Sequence, residues 1–288
     1  MSLTGKTAIV TGAAAGLGRA EALALAAQGA TVVVNDITEA KDTVDEIEAA
    51  GGKAVAVAGD VGERATADAL VETALGLGGL DIVVNNAGVL RDRMLFSMSD
   101  DEWDLVLKVH LRGHFLLSRN AAKYWRDKSK MDGKPVYGRL VNTASEAFLV
   151  GSPGQPNYAA AKAGIASLTV SAARGLHKYG VRANAICPRA RTAMTEGVFG
   201  APPKLGTGGT DPLSVNHVAP FVAYLASPAA EAINGQVFVV HGGMVALLEP
   251  PRIEQRWTID DLDTGVTGYF AERDPGLMFA ATEILGES

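Results

Sequence analysis

The chain has 288 residues, a formal net charge of −6, an apolar content of 48% and one cysteine. The acidic balance argues against nucleic-acid and anionic-membrane binding, which usually need a basic surface. No apolar run of about 18 residues could span a bilayer, no secretory leader is recognisable, and one cysteine excludes an intrachain disulfide. These features predict a soluble, cytoplasmic protein without nucleic-acid or membrane partners.

Short β-branched runs alternate with helix-length segments along most of the chain. Because parallel neighbours need crossover connections, this alternation predicts a doubly wound α/β sheet of the Rossmann type with seven parallel strands. The predicted strands are residues 7–11, 31–36, 54–58, 81–85, 140–143, 181–186 and 236–240. Ser99 and Glu102 form a capping-box pattern at a helix start, and the helix over residues 19–28 is expected to stop at Gly29.

No change in composition marks a second domain, so residues 1–248 are expected to form a single domain. Residues 200–212 are rich in glycine and proline and follow a strand end, which predicts a mobile loop beside the site. Residues 249–288 form a C-terminal extension with too many aromatic residues for a solvated tail. We expect this extension to pack on the sheet domain or on a neighbouring subunit.

A glycine-rich turn joins the first predicted strand to the following helix. Gly12, Gly16 and Gly18 in TGAAAGLG allow a tight turn and let a pyrophosphate approach the backbone amides closely. The helix N-terminus adds unpaired N–H groups and about half a positive charge. With Ala15 and Leu17 between these glycines, the turn predicts a binding site for a dinucleotide cofactor.

Asp36 ends the second predicted strand, eighteen residues after Gly18. A carboxylate there would bind the adenosine ribose hydroxyls; the alternative is that Asp36 caps the following helix. At the ribose, Asp36 would repel a 2′-phosphate about 4 Å away by roughly 4 kcal/mol per unit charge at an effective dielectric near 20. Because Ala15 and Ile37 carry no positive charge to offset this, the sequence favours NAD over NADP as the cofactor.

Ser145, Tyr158 and Lys162 form the sharpest chemical pattern. Tyr158 and Lys162 are four residues apart in a helical segment, so both side chains lie on one face. A phenol with a pKa near 10 is a poor base at neutral pH, and a neighbouring ammonium would lower that pKa by about 1–3 units. Ser145 follows the fifth predicted strand, at the edge where open α/β sheets bind ligands. The pattern predicts proton exchange between Tyr158 and a substrate oxygen held by Ser145.

TGAAAGLG, NNAG at residues 85–88, Ser145 and Tyr158-x-x-x-Lys162, in this order and spacing, resemble the short-chain dehydrogenase/reductase family over residues 4 to about 245. The resemblance implies that Tyr158 is the general acid/base, Lys162 a ribose ligand and electrostatic partner, and Ser145 the orienting residue. It implies an NAD-dependent interconversion of a secondary alcohol and a ketone on a small-molecule substrate, no metal, and a homotetramer or homodimer. Further implied cofactor contacts are Asp60 and Val61 at the adenine, and Asn86, Ala87 and Gly88 beside the nicotinamide ribose.

Two departures from the family pattern concern this site. His110 occupies the position where the family usually has a catalytic asparagine. Two roles are equally compatible with this histidine: a structural residue of the core, or a proton-relay residue. The usual Pro-Gly after the sixth strand is Pro188-Arg189, so the contact with the nicotinamide carboxamide is assigned to Pro188 and Thr192. Arg189 and Arg191 have two possible roles. The favoured one is that they form exposed salt bridges with acidic residues, and the other is that they contact an anionic group of the substrate.

The segments GLGRAEALALAAQGATVVVND and NNAGVLRDRMLFSMSDDEWDLVLKVHLRG resemble most the (3R)-hydroxyacyl-CoA dehydrogenase branch, found in the peroxisomal multifunctional enzyme type 2. This branch implies a 3-hydroxyacyl thioester or a hydroxysteroid as substrate. The ending Leu-Gly-Glu-Ser differs from a Ser-Lys-Leu address, which argues against a peroxisomal location. One alternative is an NADPH-using 3-oxoacyl carrier-protein reductase, which Asp36 argues against. The other is a non-catalytic NAD-binding scaffold, which the presence of Tyr158 and Lys162 disfavours.

Overall fold

The computed structural model describes residues 2–195, 203 and 211–273 of the chain. Within them lie eight strands: β1 (Thr7–Thr11), β2 (Thr31–Asp36), β3 (Lys53–Ala58), β4 (Ile82–Asn85), β5 (Gly138–Thr143), β6 (Val181–Arg189), β7 (Val237–His241) and β8 (Met244–Leu247). They form one sheet in the order β3-β2-β1-β4-β5-β6-β7-β8. The pairings from β3 to β7 are parallel, and β8 pairs with β7 in the antiparallel direction.

Helices connect the strands and cover both faces of the sheet. They are α1 (Gly16–Ala27), α2 (Lys41–Ala49), α3 (Arg64–Gly76), α4 (Asp100–Leu107), α5 (Gly113–Asp132), α6 (Ala147–Val150), α7 (Pro156–Leu176), α8 (Ala219–Ala226) and α9 (Thr267–Glu272). One π-helical turn, Lys108–Arg112, joins α4 to α5.

The two largest hydrophobic clusters lie on opposite faces of the sheet because successive strand side chains alternate in direction. Val10 of β1 belongs to one cluster together with Leu25 of α1, whereas Ile9 belongs to the other together with Trp125 of α5. All residues of β1 and β4 are buried, as expected for central parallel strands covered on both faces. The carboxyl ends of these strands are therefore firmly placed relative to each other.

The prediction of a doubly wound α/β sheet is confirmed, with one correction to the number of strands. The sequence predicted seven strands, and the structure adds β8. Gly242 adopts a φ of +55°, the chain reverses, and Met244 pairs with His241. The two consecutive glycines before Met244 were the available signal for this hairpin. The sixth strand also continues beyond residue 186 to Arg189, which brings Pro188 and Arg189 into the sheet.

The local helix signals are confirmed. At the start of α4, Glu102 N–H donates to Ser99 Oγ at 3.2 Å, and Ser99 N–H donates to the Glu102 carboxylate at 3.0 Å. Helix α1 ends at Ala27 and is followed by Gly29 with a φ of +97°. Such end contacts satisfy backbone groups that a helix cannot pair internally.

The C-terminal extension is described up to residue 273. The Trp257, Tyr269 and Phe270 rings lie 5.2–6.4 Å apart, and α9 continues directly from the preceding helical turn, Leu262–Val266. Ile259 and Phe270 remain exposed in the single chain. The division at residue 248 and packing of the extension on a partner stay predictions. Of the predicted loop 200–212, residues 200–202 and 204–210 lie outside the described residues, as does Phe279.

Candidate active site

Tyr158 and Lys162 project from the first turns of α7 toward the end of β5. The start of α7 is held by Asn157, whose amide donates to the Arg91 carbonyl at 3.0 Å and accepts from Tyr158 N–H at 2.7 Å. Lys162 Nζ donates to the Thr143 carbonyl at 2.5 Å and lies 5.3 Å from the centroid of the Tyr158 ring. The two side chains therefore share one face of the helix, as their spacing predicted.

Ser145 lies just beyond β5 and beside Tyr158. Its Oγ accepts a hydrogen bond from Ala147 N–H at 3.2 Å, and its side chain lies close enough to the Tyr158 phenol to act on the pKa of that phenol. Both residues line a cavity of about 740 Å³, which we call the serine cavity. The structure thus brings together Ser145, Tyr158 and Lys162 at one edge of the sheet.

The acidity of Tyr158 differs from the prediction. Burial raises the pKa of Tyr158 to about 12, and the hydrogen bond with Ser145 acts in the opposite direction. Burial also lowers the pKa of Lys162 to about 7. The expected lowering of the phenol pKa is wrong for the protein alone, because loss of water around a phenolate outweighs the lowering by Ser145. At neutral pH the phenol therefore keeps its proton.

His110 is buried in the π-helical turn, directly behind Tyr158. Its Nε2 lies 2.8 Å from the Val89 carbonyl oxygen and 3.0 Å from Val89 N, and its ring meets the Tyr158 ring edge-on at a centroid distance of 5.2 Å. Burial, and then the Lys162 charge, hold the pKa of His110 well below its usual value, so the imidazole is neutral. These contacts fit the structural alternative. Its Nδ1 is buried without a hydrogen-bond partner among the described residues, and a relay role stays a proposal.

A second cavity, of about 360 Å³, lies over the carboxyl ends of β1, β2, β4 and β5, and we call it the glycine-turn cavity. All but one of the predicted cofactor residues line it: Gly12, Ala15, Gly16, Leu17, Asp36, Ile37, Asp60, Val61, Asn86, Ala87, Gly88, Tyr158, Lys162, Pro188 and Thr192. The exception is Gly18. A Cβ added to Gly18 would lie 2.3 Å from the Gly12 carbonyl oxygen, so Gly18 serves the close packing of α1 on β1.

The shape of the glycine turn fits a dinucleotide. Gly12 has a φ of +64°, and a Cβ there would lie 2.7 Å from the Ala87 Cα. Gly16 has a φ of +57°, and a Cβ there would lie 3.5 Å from the Thr192 methyl group across the cavity. No side chain caps the N-terminus of α1, so its first N–H groups are available to an anion. The turn therefore offers both the space and the donors that a pyrophosphate needs.

Asp36 lies in the same cavity at the end of β2. Its Oδ2 accepts from Ala14 N–H at 3.0 Å and its Oδ1 from Ile37 N–H at 2.8 Å. Helix α2 begins only at Lys41, with Ala40 at the capping position, so the alternative that Asp36 caps this helix is wrong. The carboxylate is held by the backbone of the glycine turn and keeps lone pairs for the hydroxyls of a ligand.

Asp60 lies at the far end of the cavity and is tied to the π-helical turn. Burial raises the pKa of Asp60, but hydrogen bonds from Lys108 and from Gly62 N–H outweigh it and leave the pKa below its usual value. Lys108 Nζ lies 2.9 Å from Asp60 and 2.6 Å from Glu63, and Arg112 Nε donates to the Gly62 carbonyl at 2.9 Å. The sequence did not indicate these contacts of Lys108 and Arg112.

Sequence reasoning also missed several lining residues of the glycine-turn cavity. They are Asn35, Gly59, Val89, Val109, Thr143, Ala144, Ala190, Ala193, Met194 and Thr195. Most are small or apolar, so only their proximity to strand ends could have indicated them. Thr195 has a clear role: its Oγ1 donates to the Ala190 carbonyl at 2.7 Å and accepts from Thr192 N–H at 2.9 Å. It thereby shapes the turn opposite Gly16.

Two arginines beyond the site serine form ion pairs in the wall of the serine cavity. Arg189 Nε and Nη2 contact the two Glu146 oxygens at 2.6 and 2.7 Å, and Arg191 Nε contacts Asp211 at 2.9 Å. These four side chains are only 12–16% exposed. The prediction of ion pairing is confirmed for both arginines, but the pairs are largely buried instead of exposed.

Across residues 2–195, 203 and 211–273, no helix combines the length and apolar character needed to cross a bilayer. The same residues include no cluster of three or more His, Cys, Asp or Glu side chains that could hold a metal ion. Cys187 is buried on β6, and burial raises the pKa of its thiol to about 12, which makes it a poor nucleophile.

Comparisons with known proteins agree with this geometry. A family model described as short chain dehydrogenase matches residues 6–200. The hydroxyacyl-CoA dehydrogenase ChsB1 of Mycobacterium tuberculosis is 63% identical over 298 residues, covering 98% of this chain and 94% of that protein. The peroxisomal multifunctional enzyme type 2 of Mus musculus is 41% identical over 258 residues, covering 85% of this chain and 32% of that protein. A crystal structure of a short chain dehydrogenase from Mycobacterium avium has a TM-score of 0.84 at 44% identity, covering 98% of this chain and 100% of that one.

Proposed function

The chain belongs to the short-chain dehydrogenase family, and from this premise we propose that it interconverts the 3-hydroxy and 3-oxo forms of an acyl thioester with NAD. It is an oxidoreductase that acts on a CH–OH group. The name of the 63% identical relative, a hydroxyacyl-CoA dehydrogenase, supports the thioester. The observation that carries the proposal is the position of Tyr158, which lines both cavities and shares the serine cavity with Ser145.

Tyr158 is the residue we assign to proton transfer. A phenol whose pKa is raised to about 12 holds its proton at neutral pH, which suits donation to a carbonyl oxygen during reduction. During oxidation the phenol must release that proton, and Lys162 would stabilise the phenolate whenever its amine carries a charge. The Ser145 hydroxyl would form a hydrogen bond with the same substrate oxygen and orient it toward the Tyr158 hydroxyl.

The glycine-turn cavity supports a nicotinamide dinucleotide as the cofactor, which would supply or accept the hydride. Gly12, Gly16 and the N-terminus of α1 would hold the pyrophosphate, and Asp36 the adenosine ribose. A 2′-phosphate would meet the Asp36 carboxylate, and the adjoining Ile37 side chain is exposed and uncharged. This arrangement supports NAD over NADP. It also argues against the alternative of an NADPH-using carrier-protein reductase.

The serine cavity supports a bulky substrate. Its volume of about 740 Å³ lies in the range of cavities that enclose drug-sized molecules, and Leu90, Val150 and Met194 give it apolar surface. A hydroxysteroid would fit the same cavity, so both substrate classes are included in the test.

The alternative of a non-catalytic scaffold does not explain why a serine, a tyrosine and a lysine lie together between the two cavities. The family resemblance further supports a homotetramer or homodimer, and the single cysteine, which excludes an intrachain disulfide, fits a cytoplasmic location.

The proposal is tested by presenting the purified protein with a series of 3-hydroxyacyl-CoA thioesters and hydroxysteroids, and measuring NADH and NADPH formation. We expect turnover of thioesters with NAD. Ser145→Ala, which removes one of the two hydroxyls, should slow each true substrate by about 10²–10⁴-fold. Binding of NAD without reduction by any member of either series would contradict the proposal and revive the scaffold alternative.

A further inference from the structure

The turn that carries Ser145 lies between the sheet and a short helix. The sheet contacts of this segment extend to Ala144, whose N–H donates to the Ile186 carbonyl at 2.7 Å. Beyond Ser145, the Glu146 carbonyl accepts from Leu149 N–H at 2.8 Å, within the single turn of α6. The serine hydroxyl is therefore presented by a short connection, and the next residue in the chain is Glu146.

Glu146 is anchored to the neighbouring strand by Arg189. Both carboxylate oxygens are engaged, one by Nε at 2.6 Å and one by Nη2 at 2.7 Å, which is the fork geometry of a strong charge-assisted pair. Arg189 is the last residue of β6, and its backbone is in register with His241 of β7. The anchor thus stands on the sheet itself, and each side chain of the pair is only 12% exposed.

We propose that the Glu146–Arg189 ion pair is a positioning device that fixes the Ser145 hydroxyl beside Tyr158 in the dehydrogenase reaction. This inference rests on the proposed function. Neither partner is assigned to touch the reacting atoms: Arg189 holds Glu146, and Glu146 holds the turn of Ser145. A side chain at position 189 is required for this, which gives a physical reason for arginine where the family usually has glycine.

The chain contains a control ion pair on the same strand. Arg182 lies at the opposite end of β6, is also 12% exposed, and forms an ion pair with a glutamate, Glu231. Glu231 is 58% exposed and also pairs with Arg139, so replacing Arg182 removes one of its two ion pairs, far from Ser145. Arg182→Met therefore reports what loss of such a pair does to the protein in general.

The experiment measures kcat and KM for Glu146→Gln, Arg189→Met and Arg189→Lys, each alone and combined with Ser145→Ala. A misplaced catalytic group can cost about 10²-fold in rate, so we expect kcat to fall by about 10- to 100-fold in the first two variants. The KM for NAD should stay unchanged. Lysine cannot form the fork, so Arg189→Lys should be intermediate. In the Ser145→Ala background the same substitutions should lower kcat by about twofold or less, because they act by positioning a hydroxyl that this background lacks.

Three results would overturn the inference. Equal losses in both backgrounds would show that the pair does not act through Ser145. A loss of kcat in Arg182→Met as large as in Arg189→Met would show a general structural effect. A higher KM for the substrate at constant kcat in Arg189→Met would show that Arg189 binds an anionic group of the substrate.

A crystal structure of Glu146→Gln separates this inference from the proposed function, because it needs no turnover. We expect Ser145 Oγ to lie farther from the Tyr158 hydroxyl in the variant than in a crystal structure of the parent protein, where both side chains line the serine cavity. If the distance is the same in both, the positioning role is wrong whatever the substrate. If the parent protein turns over neither thioester nor steroid, the proposed function fails independently of the result for Ser145.

Discussion

Lys162 donates a hydrogen bond to the Thr143 carbonyl at 2.5 Å, and this bond ties the helix that carries Tyr158 to the strand that leads to Ser145. The amine is buried, and burial lowers the pKa of Lys162 to about 7. One side chain therefore sets both the distance between the catalytic elements and the charge beside the phenol.

Lys162→Met is expected to slow oxidation by about 10²–10⁴-fold, because Tyr158 loses the only charge adjacent to its ring that can stabilise a phenolate among the described residues. Steady-state kinetics checks this. Lys178→Met is a suitable control, since Lys178 also lies over a tyrosine ring, at 5.2 Å, but that ring belongs to Tyr179 at the other end of the sheet. Equal rates for Lys162→Met and the parent protein would contradict the assigned role.

Asp36→Asn should shift the cofactor preference toward NADP. Removing a full charge near the ribose relieves a repulsion of a few kcal/mol, so the ratio of kcat/KM for NADP over NAD should rise by about 100-fold. The comparison variant is Glu39→Gln, an exposed acid in the loop that follows β2. A ratio that moves equally in both variants would mean that general charge, instead of contact with the ribose, decides the preference.

Lys108→Met should weaken binding of NAD about fivefold without changing kcat. Lys108 pairs with Glu63 and with Asp60, which lies at the end of the glycine-turn cavity that we propose for the adenine, and partly exposed ion pairs are individually weak. Isothermal titration calorimetry measures the affinity. Lys123→Met removes a pair with Asp127 on the outer face of α5 and should leave the affinity for NAD unchanged. An unaltered affinity in Lys108→Met would remove this lysine from the cofactor site.

Glu21 makes the stability of the fold depend on pH. Its carboxylate is fully buried in α1 without a hydrogen-bond partner among the described residues, and burial raises its pKa from 4.5 to about 8. A raised folded-state pKa stabilises the protein below pH 4.5, and this stability is lost as the pH rises toward 8. The contribution of Glu21 to the free energy of unfolding should fall by about 1.4 kcal/mol per pH unit over that window.

Glu21→Met removes the buried acid while keeping a side chain of similar size. Urea unfolding of the parent protein and the variant at about pH 5 and at pH 8 should show a larger advantage for the variant at pH 8. Glu48→Gln, an exposed acid on α2, is the control and should show no such trend. An advantage of Glu21→Met that is equal at the two pH values would disprove the titration of Glu21.

Local patterns allowed the sequence to predict most of the scaffold. Buried parallel strands are continuous apolar runs, and the glycine turn and capping box depend on neighbouring residues only. This is why Gly12, Gly16 and Asp36 could be placed before the structure was known. The hairpin to β8 was missed, although the two glycines before Met244 were a signal for its turn.

Features that depend on tertiary packing were not predictable. The predicted direction of the Tyr158 pKa shift was wrong because burial dominates this shift, and the spacing between Tyr158 and Lys162 does not tell how deeply the phenol is buried. The ion pair of Glu146 and Arg189 joins residues 43 positions apart, and no local pattern marks it. Gly18 lies outside the lining of the glycine-turn cavity, and its close approach to Gly12 could not be predicted, because the sequence does not distinguish contact with a ligand from contact between backbone segments.

Kinetic comparison of Tyr158→Phe with the parent protein tests most directly whether Tyr158 carries the proton. The variant loses only the hydroxyl, so kcat should fall by at least about 10³-fold while the affinity for NAD stays within about twofold. Tyr137→Phe, which loses a hydroxyl bonded to the Ala226 carbonyl away from both cavities, should keep its kcat. Retention of most of the turnover by Tyr158→Phe would contradict proton transfer by this residue.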